Sequence, residues 1–332
     1  MHFVILRGRS NAKLSPPIIA IDRSRWCSHP RYIVGRWFKV SNVKNDQSRR
    51  SLESGGGLDA VARVLVEQVN RTGPRMVIEN RPGAGTVIGT EAAARAAPDG
   101  NTLLITNPGF VISSQLRKLS YDPLTSFEPI CHLVQYPSAI VVNAASPYRT
   151  LTDLLNAARK KPGELTMANF VGKSSHIGFE VLKRKANVDM TFVPYPGAGS
   201  AVNALLGEHV TSAFVVAATV SEHLKAGTLR ALAATSHIES FPDVPTIVAS
   251  GYADYEMDGW IGLLAPGKTP KETLAQIAGW FTAALLASDV REKLAAQGQY
   301  PVGMCGADFG AFLRKQYDEY GRVIREANIK AE

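Results

Sequence analysis

Four glycine-rich turns, at residues 55–57, 83–85, 172–175 and 197–200, constrain this chain more than any other feature of its sequence. Each stands between a real or expected strand and an amphipathic helix. After the first, Leu58, Val61, Ala62, Leu65, Val66 and Val69 recur at helical period. Met76–Asn80 then reads as a short strand, 88–97 as a helix stopped by Pro98-Asp99-Gly100, and Thr102–Thr106 as a fully buried strand ending in Asn107-Pro108-Gly109. Such alternation predicts βαβ units with parallel strands. A second set follows, with strands at 139–143, 165–169, 189–193, 211–216 and 230–234 and helices at 151–160, 174–185, 201–206 and 220–224. Beyond Pro242 and Pro245 the sequence predicts a helix at 246–250, a strand at 260–265 and three amphipathic helices at 271–287, 290–296 and 307–327. Two α/β lobes joined near residues 140 and 235 fit this pattern better than one continuous sheet.

The 332 residues are 45% apolar and 20% charged, which suits a folded chain with a large core and excludes disorder and coiled coil. No apolar run approaches the length of a membrane span. The net charge of +8 suggests nucleic-acid binding until it is divided along the chain. Residues 1–50 carry 11 Lys/Arg against Asp22 and Asp46, so the other 282 residues hold 26 basic and 27 acidic ones. The positive charge belongs to the start of the chain, and the body has no nucleic-acid signature. That start lacks the continuous apolar stretch of a secretory signal, because Arg7 and Arg9 interrupt it. Residues 1–54 read as an atypical basic extension, disordered or mis-assigned, with one strand-like apolar segment at 32–40.

Each glycine-rich turn directs backbone N–H groups and the positive end of a helix dipole toward a strand's carboxyl end. Open α/β sheets bind ligands there, and the chemistry suits an anion, most simply a carboxylate. Nucleotides fit less well. Residues 83–89 form GxGxxxG, one residue off the dinucleotide fingerprint, and the strand Thr102–Thr106 ends without an acidic residue for a ribose. Gly172-Lys173-Ser174 resembles the end of a phosphate loop, but Met167 occupies the place of its first glycine. No zinc-protease or nucleophile-elbow motif occurs. Ser174, Ser175 and His176 are neighbours on one helix start and do not face one another as a nucleophile and base must. His209, His223 and His237 are scattered, and Asp59 in a first helical turn reads as support for the helix dipole. Cys131 and Cys305 lie in apolar surroundings and read as buried thiols, and Cys27 falls in the basic extension. No metal site, cofactor motif or catalytic set emerges.

An ordered series of short motifs carries a family resemblance. Gly55-Gly56-Gly57-Leu58-Asp59, Glu79-Asn80-Arg81-Pro82-Gly83-Ala84-Gly85, Ala97-Pro98-Asp99-Gly100-Asn101-Thr102 and Tyr121-Asp122-Pro123 come first. Val193-Pro194-Tyr195-Pro196-Gly197, Lys225-Ala226-Gly227-Thr228-Leu229-Arg230, Pro242-Asp243-Val244-Pro245-Thr246 and Ala265-Pro266-Gly267-Lys268-Thr269-Pro270 follow in order. Over residues 55–332 the chain resembles the Bug, or TctC-like, family of tripartite tricarboxylate transporter substrate-binding proteins. The resemblance implies a two-lobed, type II periplasmic-binding-protein fold, each lobe a mostly parallel sheet flanked by helices, with a ligand cleft between lobes. Residues 55–140 and 235–332 would form lobe 1 and residues 141–234 lobe 2. It further implies a periplasmic, monomeric, non-enzymatic receptor for a small carboxylate: a di- or tricarboxylate, an amino acid or an aromatic acid. Membrane transporter subunits or a sensor protein would be its partners. Carried over by motif, Gly56, Gly57 and Asp59 would line one wall, with Thr106 and Asn107 at the neighbouring strand end. Ser174, Ser175, His176, Tyr195, Gly197 and Ala198 would face them, with Ala217 as a weaker candidate.

The chain departs from the family before the first glycine turn. Family members arrive there through an apolar strand, whereas residues 45–54 are too polar for a buried central strand. Either residues 1–54 are mis-assigned, or the segment at 32–40 takes the strand's place through a long polar link, or the first lobe lacks its central strand. The last case would leave a family member unable to bind. A cytosolic α/β enzyme acting on a small carboxylate is the alternative reading.

Overall fold

The computed structural model describes the backbone of residues 38–42 together with residues 57–81 and 86–330. The readings placed on Cys27, on Gly56 and on the turn at 83–85 lie outside the described residues.

The described chain contains two sheets. The strands of the first are β1 (Phe38–Asn42), β2 (Met76–Asn80), β3 (Thr102–Thr106), β4 (Phe127–Tyr136), β10 (Gly259–Pro266) and β11 (Tyr300–Cys305). Their spatial order is β11-β4-β10-β3-β1-β2. The second sheet holds β5 (Ser138–Asn143), β6 (Thr166–Asn169), β7 (Thr191–Pro194), β8 (Ser212–Val216) and β9 (Leu229–Ala234), in the order β7-β6-β8-β5-β9.

β1 pairs in parallel with β2 through Phe38–Met76 and Asn42–Asn80, and with β3 through Lys39–Thr102 and Asn42–Ile105. A strand overlapping the apolar segment at 32–40 therefore stands between β2 and β3, in the slot that residues 45–54 are too polar to fill.

Both sheets are mixed rather than mostly parallel. β10 runs antiparallel to β3 and β4, β11 antiparallel to β4, and β5 antiparallel to β8 and β9. The cause is the route of the chain. It passes from β4 into β5 at Pro137 and returns from β9 to β10 through residues 235–258. Each passage joins strands of different sheets without a crossover helix between them, so the parallel rule of βαβ units does not govern β4, β5, β9 and β10.

The helices are α1 (Gly57–Thr72), α2 (Val87–Ala94), α3 (Gly109–Leu116), α4 (Leu151–Lys160), α5 (Ser174–Ala186), α6 (Ala198–Leu206), α7 (Ser221–Lys225), α8 (Lys271–Leu286), α9 (Ser288–Ala295) and α10 (Ala307–Glu326). A 3₁₀ turn at Ala217–Val220 precedes α7. The apolar stripe of α1 is buried as its period requires, at Leu58, Val61, Ala62, Leu65, Val66 and Val69. α4 begins with a reciprocal cap: the Asp153 N–H donates to the Thr150 hydroxyl, and the Asp153 carboxylate accepts from the Thr150 N–H at 2.9 Å. The helix predicted at 246–250 is a set of turns. Ser250 N–H donates to Thr246 C=O and Gly251 N–H to Val248 C=O, and Gly251, with φ of +100°, ends the segment after a single turn.

Strands β5 and β8 of the second sheet are buried on both faces, which their alternation shows directly. Ile140 and Val142 of β5 and Phe214 of β8 face the main core, whereas Ala139, Val141, Ala213 and Val215 face a smaller one beneath α6. The main core reaches across to Leu103, Leu104 and Ile105 of β3, so one apolar cluster supports both sheets. α5 is held against the returning segment by the Tyr255 hydroxyl, which donates to the Gly178 carbonyl at 2.8 Å. A Cβ on Gly178 would lie 2.8 Å from that hydroxyl, so only glycine admits the contact. On its other side α5 meets α10 through the Arg184–Glu326 ion pair.

Cys131 and Cys305 are not separate thiols. They occupy opposed positions on β4 and β11 and are joined by a disulfide. Their apolar surroundings are real, with Cys131 fully buried, but 174 residues of sequence hide the strand register that brings the two sulfurs together.

Candidate functional site

The carboxyl ends of the parallel strands gather most of the residues singled out above. In the first sheet, β2 ends at Asn80 and β3 at Thr106, and α1 starts at Gly57. Thr106 is fully buried and its hydroxyl has no hydrogen-bond partner among the described residues. Asn107 turns its Oδ1 toward the Gly109 N–H at 3.0 Å, so its side chain starts α3 rather than reaching outward. Asp59 accepts from Arg63 Nε and from Asn80 Nδ2, both at 3.0 Å. The Asp59 carboxylate therefore ties the first turn of α1 to the end of β2, a positioning role that agrees with its dipole-supporting place.

Two groups at this edge escaped the sequence reading. Thr86, at the start of α2, has φ of 98°, a region that β-branched residues avoid. It is buried, and its hydroxyl has no partner among the described residues. Backbone strain and an unpartnered buried hydroxyl at one residue are a combination that folded proteins keep chiefly at ligand sites. Gln299, after α9, is 5% exposed, and its Oε1 is also unpartnered. Nothing in the local sequence marks either residue, because their significance comes from burial without a partner.

In the second sheet, β6 delivers Asn169, which is fully buried and organises the start of α5. Its Nδ2 donates to the Ser175 carbonyl at 2.9 Å, while its Oδ1 accepts from the Ser175 hydroxyl at 2.6 Å and the Phe170 N–H at 2.7 Å. The Ser175 hydroxyl is thus spent on scaffolding. What α5 offers outward is the first-turn N–H groups of Ser174 and Ser175, which have no intrahelical acceptor. The His176 N–H is already engaged by the Lys173 carbonyl at 3.0 Å. The His176 ring stacks on Phe192 with centroids 4.1 Å apart, and its Nδ1 faces the Gly172 N–H at 3.4 Å. Burial, aided by the nearby Lys183 charge, pushes its pKa down to about 4, so the ring is a neutral wall at physiological pH.

Tyr195 is held by its N–H to the Asn169 carbonyl at 2.9 Å. Gly197 precedes α6 in an extended conformation, and a Cβ built on it, or on Gly199, would meet nothing within 4 Å. The turn therefore borders open space, and the first-turn N–H groups of α6 at Ala198 and Gly199 emerge into it. Ala217 is buried, and its N–H donates to the Pro137 carbonyl at 3.0 Å, which leaves it no donor for a ligand.

The halves approach each other at two places along this edge. Leu116 at the end of α3 lies 3.3 Å from where a Cβ on Gly172 would be, and Ala218 lies 3.0 Å from a Cβ built on Gly298. Among the described residues there is no group of three or more His, Cys, Asp or Glu that could hold a metal ion. Nor is any described helix long and apolar enough to cross a membrane.

Two mixed, helix-flanked sheets with helix starts collected at their strand ends define a two-lobed binding-protein fold. Residues 61–329 match the tripartite tricarboxylate transporter family receptor, and the chain belongs to that family. The protein BugT of Bordetella pertussis is 32% identical over 283 residues, covering 83% of this chain and 87% of BugT. Among solved structures, the periplasmic binding protein BugD is 29% identical with a TM-score of 0.69, covering 92% of this chain and 100% of BugD. MatC from Rhodopseudomonas palustris with bound malate is 26% identical with a TM-score of 0.69, over 87% of this chain and 99% of MatC. The family is thus one of transporter receptors, and BugD among its neighbours is a periplasmic binding protein.

Proposed function

We propose that the protein is an exported receptor that captures a small carboxylate between its two halves and delivers it to a membrane transporter or a sensor. The observation that carries this reading is the set of unsatisfied donors and hydroxyls at the strand ends. The first turns of α5 and α6 offer backbone N–H groups, and Thr86 and Thr106 offer buried hydroxyls without partners. Such a set suits a carboxylate, whose charge the helix dipoles stabilise and whose oxygens accept several hydrogen bonds. Gly57, Ser174, Ser175, Gly197 and Ala198 supply the backbone contacts in this reading. Tyr195 and neutral His176 form the wall, and Asp59 and Asn107 hold the frame. Exclusion of water as the halves close would strengthen each contact. The Cys131–Cys305 disulfide favours an oxidising compartment, which supports a periplasmic receptor over a cytosolic enzyme.

A thermal-shift screen against di- and tricarboxylates, amino acids and aromatic acids, with each compound assayed for turnover, tests the reading. At one hundred times its Kd a ligand adds about 2.7 kcal/mol of stability, enough for a clear rise in Tm. The expected result is a rise with at least one carboxylate and no chemical change in it. No response across the panel, or consumption of a compound, overturns the proposal.

A further inference from the structure

The segment after α9 carries an acceptor that the receptor reading leaves unused. Gln299 is 5% exposed, and its Nε2 lies 2.7 Å from the position a Cβ on Gly57 would take, so its carboxamide is seated directly on the start of α1. Its backbone N–H is fixed by the Leu294 carbonyl at 2.9 Å, and the next residue, Tyr300, is held by β11 pairing with Gln135. The preceding residue, Gly298, has φ of +65°, and a Cβ there would lie 3.0 Å from Ala218 of the second half. Gln299 thus sits on the first turn of α1, while its neighbour Gly298 approaches the 3₁₀ turn after β8. Despite this position its Oε1 meets no donor among the described residues.

A buried amide oxygen without a donor costs stability that an apolar residue of the same size would avoid. Glycine at 57 makes room for it, because any side chain there would displace the carboxamide. A group held at such cost, beside a helix start suited to an anion, is explained if a bound molecule supplies the missing donor.

We propose that Gln299 is a specificity-determining residue: its Oε1 accepts a hydrogen bond from a hydroxyl or ammonium group that the ligand carries close to its carboxylate. The inference deepens the receptor reading and rests on it. It adds that the site discriminates among carboxylates of equal length by a donor that a plain diacid lacks, since leaving a buried acceptor unpaired penalises the donor-free compound.

The test is isothermal titration of the full chain and of Gln299→Met with succinate, malate and aspartate. These are one four-carbon diacid and its hydroxy and amino forms. The wild type is expected to bind malate or aspartate at least about tenfold more tightly than succinate. Gln299→Met keeps the side-chain length and removes the acceptor, so that preference should fall to within about threefold, with succinate affinity unchanged or improved. Gln299→Glu restores an acceptor but adds a charge beside the carboxylate, and all three acids should weaken by more than about tenfold. Urea denaturation of each variant shows whether it is folded, and Gln299→Asn, a shorter carboxamide, serves if Met does not fold. If the wild type binds and the Met or Asn variant keeps the same preference, the role of Gln299 is overturned and the receptor reading stands. If the wild type binds none of these three acids but does bind another carboxylate without a donor, the role is likewise overturned. If no carboxylate binds at all, both readings fail together.

Discussion

The Thr235 hydroxyl joins the two junctions through which the chain passes between its sheets. It accepts from the Ser138 N–H at 2.9 Å and donates to the Asp258 carboxyl group. Ser138 opens β5 just after the outward passage, and Asp258 precedes β10 at the end of the return. One side chain thus bonds to both connections between the two sheets. Thr235→Val removes this link while keeping the shape, leaving the buried Ser138 N–H without its side-chain acceptor and taking one donor from the partly buried Asp258. Urea denaturation should show a loss of about 1–3 kcal/mol, restored by Thr235→Ser. A loss below about 0.5 kcal/mol would mean that the junctions are held by backbone pairing alone.

The Cys131–Cys305 disulfide fixes β11 to β4 at the edge of the first sheet. By loop-closure reasoning, replacing both cysteines with serine should cost about 2–5 kcal/mol. Reductant should lower the denaturation midpoint of the wild type and leave that of the double variant unmoved. Equal sensitivity of the two proteins would show that the bond does not form.

Acid should destabilise the protein through two histidines. His132 is buried beside Trp260, Phe309 and Phe312, and His176 is buried on Phe192. Burial lowers each from 6.5 to about 4. Above pH 6.5 both are neutral in the folded and unfolded chains and contribute no slope. Below 6.5 the unfolded chain takes up protons first, so stability falls until about pH 4, by up to about 3 kcal/mol for each residue. Asp258 acts oppositely: burial raises its pKa above 3.8, so the folded chain holds that proton longer and gains stability as pH falls. Stability curves of His132→Phe and His176→Phe against pH should each lose part of the decline between 6.5 and 4. Unchanged curves would show that the rings are protonated in the folded state.

Gly197 separates binding from folding. Its backbone is extended and a Cβ there would meet nothing, so Gly197→Val should fold with a change within about 0.5 kcal/mol. If the turn before α6 receives the carboxylate, the added methyl groups should weaken carboxylate binding by about tenfold or more in calorimetry. Full affinity in a folded variant would remove this turn from the site.

Much of the architecture is legible in the sequence because it is local. The period of α1, the apolar run of β3 and the glycine turns before α5 and α6 each depend on residues a few positions apart, where propensity and amphipathicity decide the outcome. β4 and β11 were not legible: β4 is interrupted by Pro129, His132 and Gln135, and Pro301 and Gly303 stand in β11, so neither alternates cleanly. α3 was also missed, since Pro108 and Gly109 read as a simple turn.

The site divides in the same way. Helix starts at strand ends are visible as glycine followed by helical periodicity, and they suffice to suggest an anion. The spent hydroxyl of Ser175, the occupied N–H of Ala217, the strain at Thr86 and the orphaned Oε1 of Gln299 are properties of packing, and no window of sequence contains them. By itself the sequence determined the family and those α/β elements whose pattern is local, because these follow from local chemistry and an ordered set of turns. Only the tertiary structure decided which strands neighbour one another, which cysteines join and which polar groups are left without partners. Those outcomes depend on contacts between residues far apart in the chain, where burial removes the water that would otherwise satisfy every donor and acceptor.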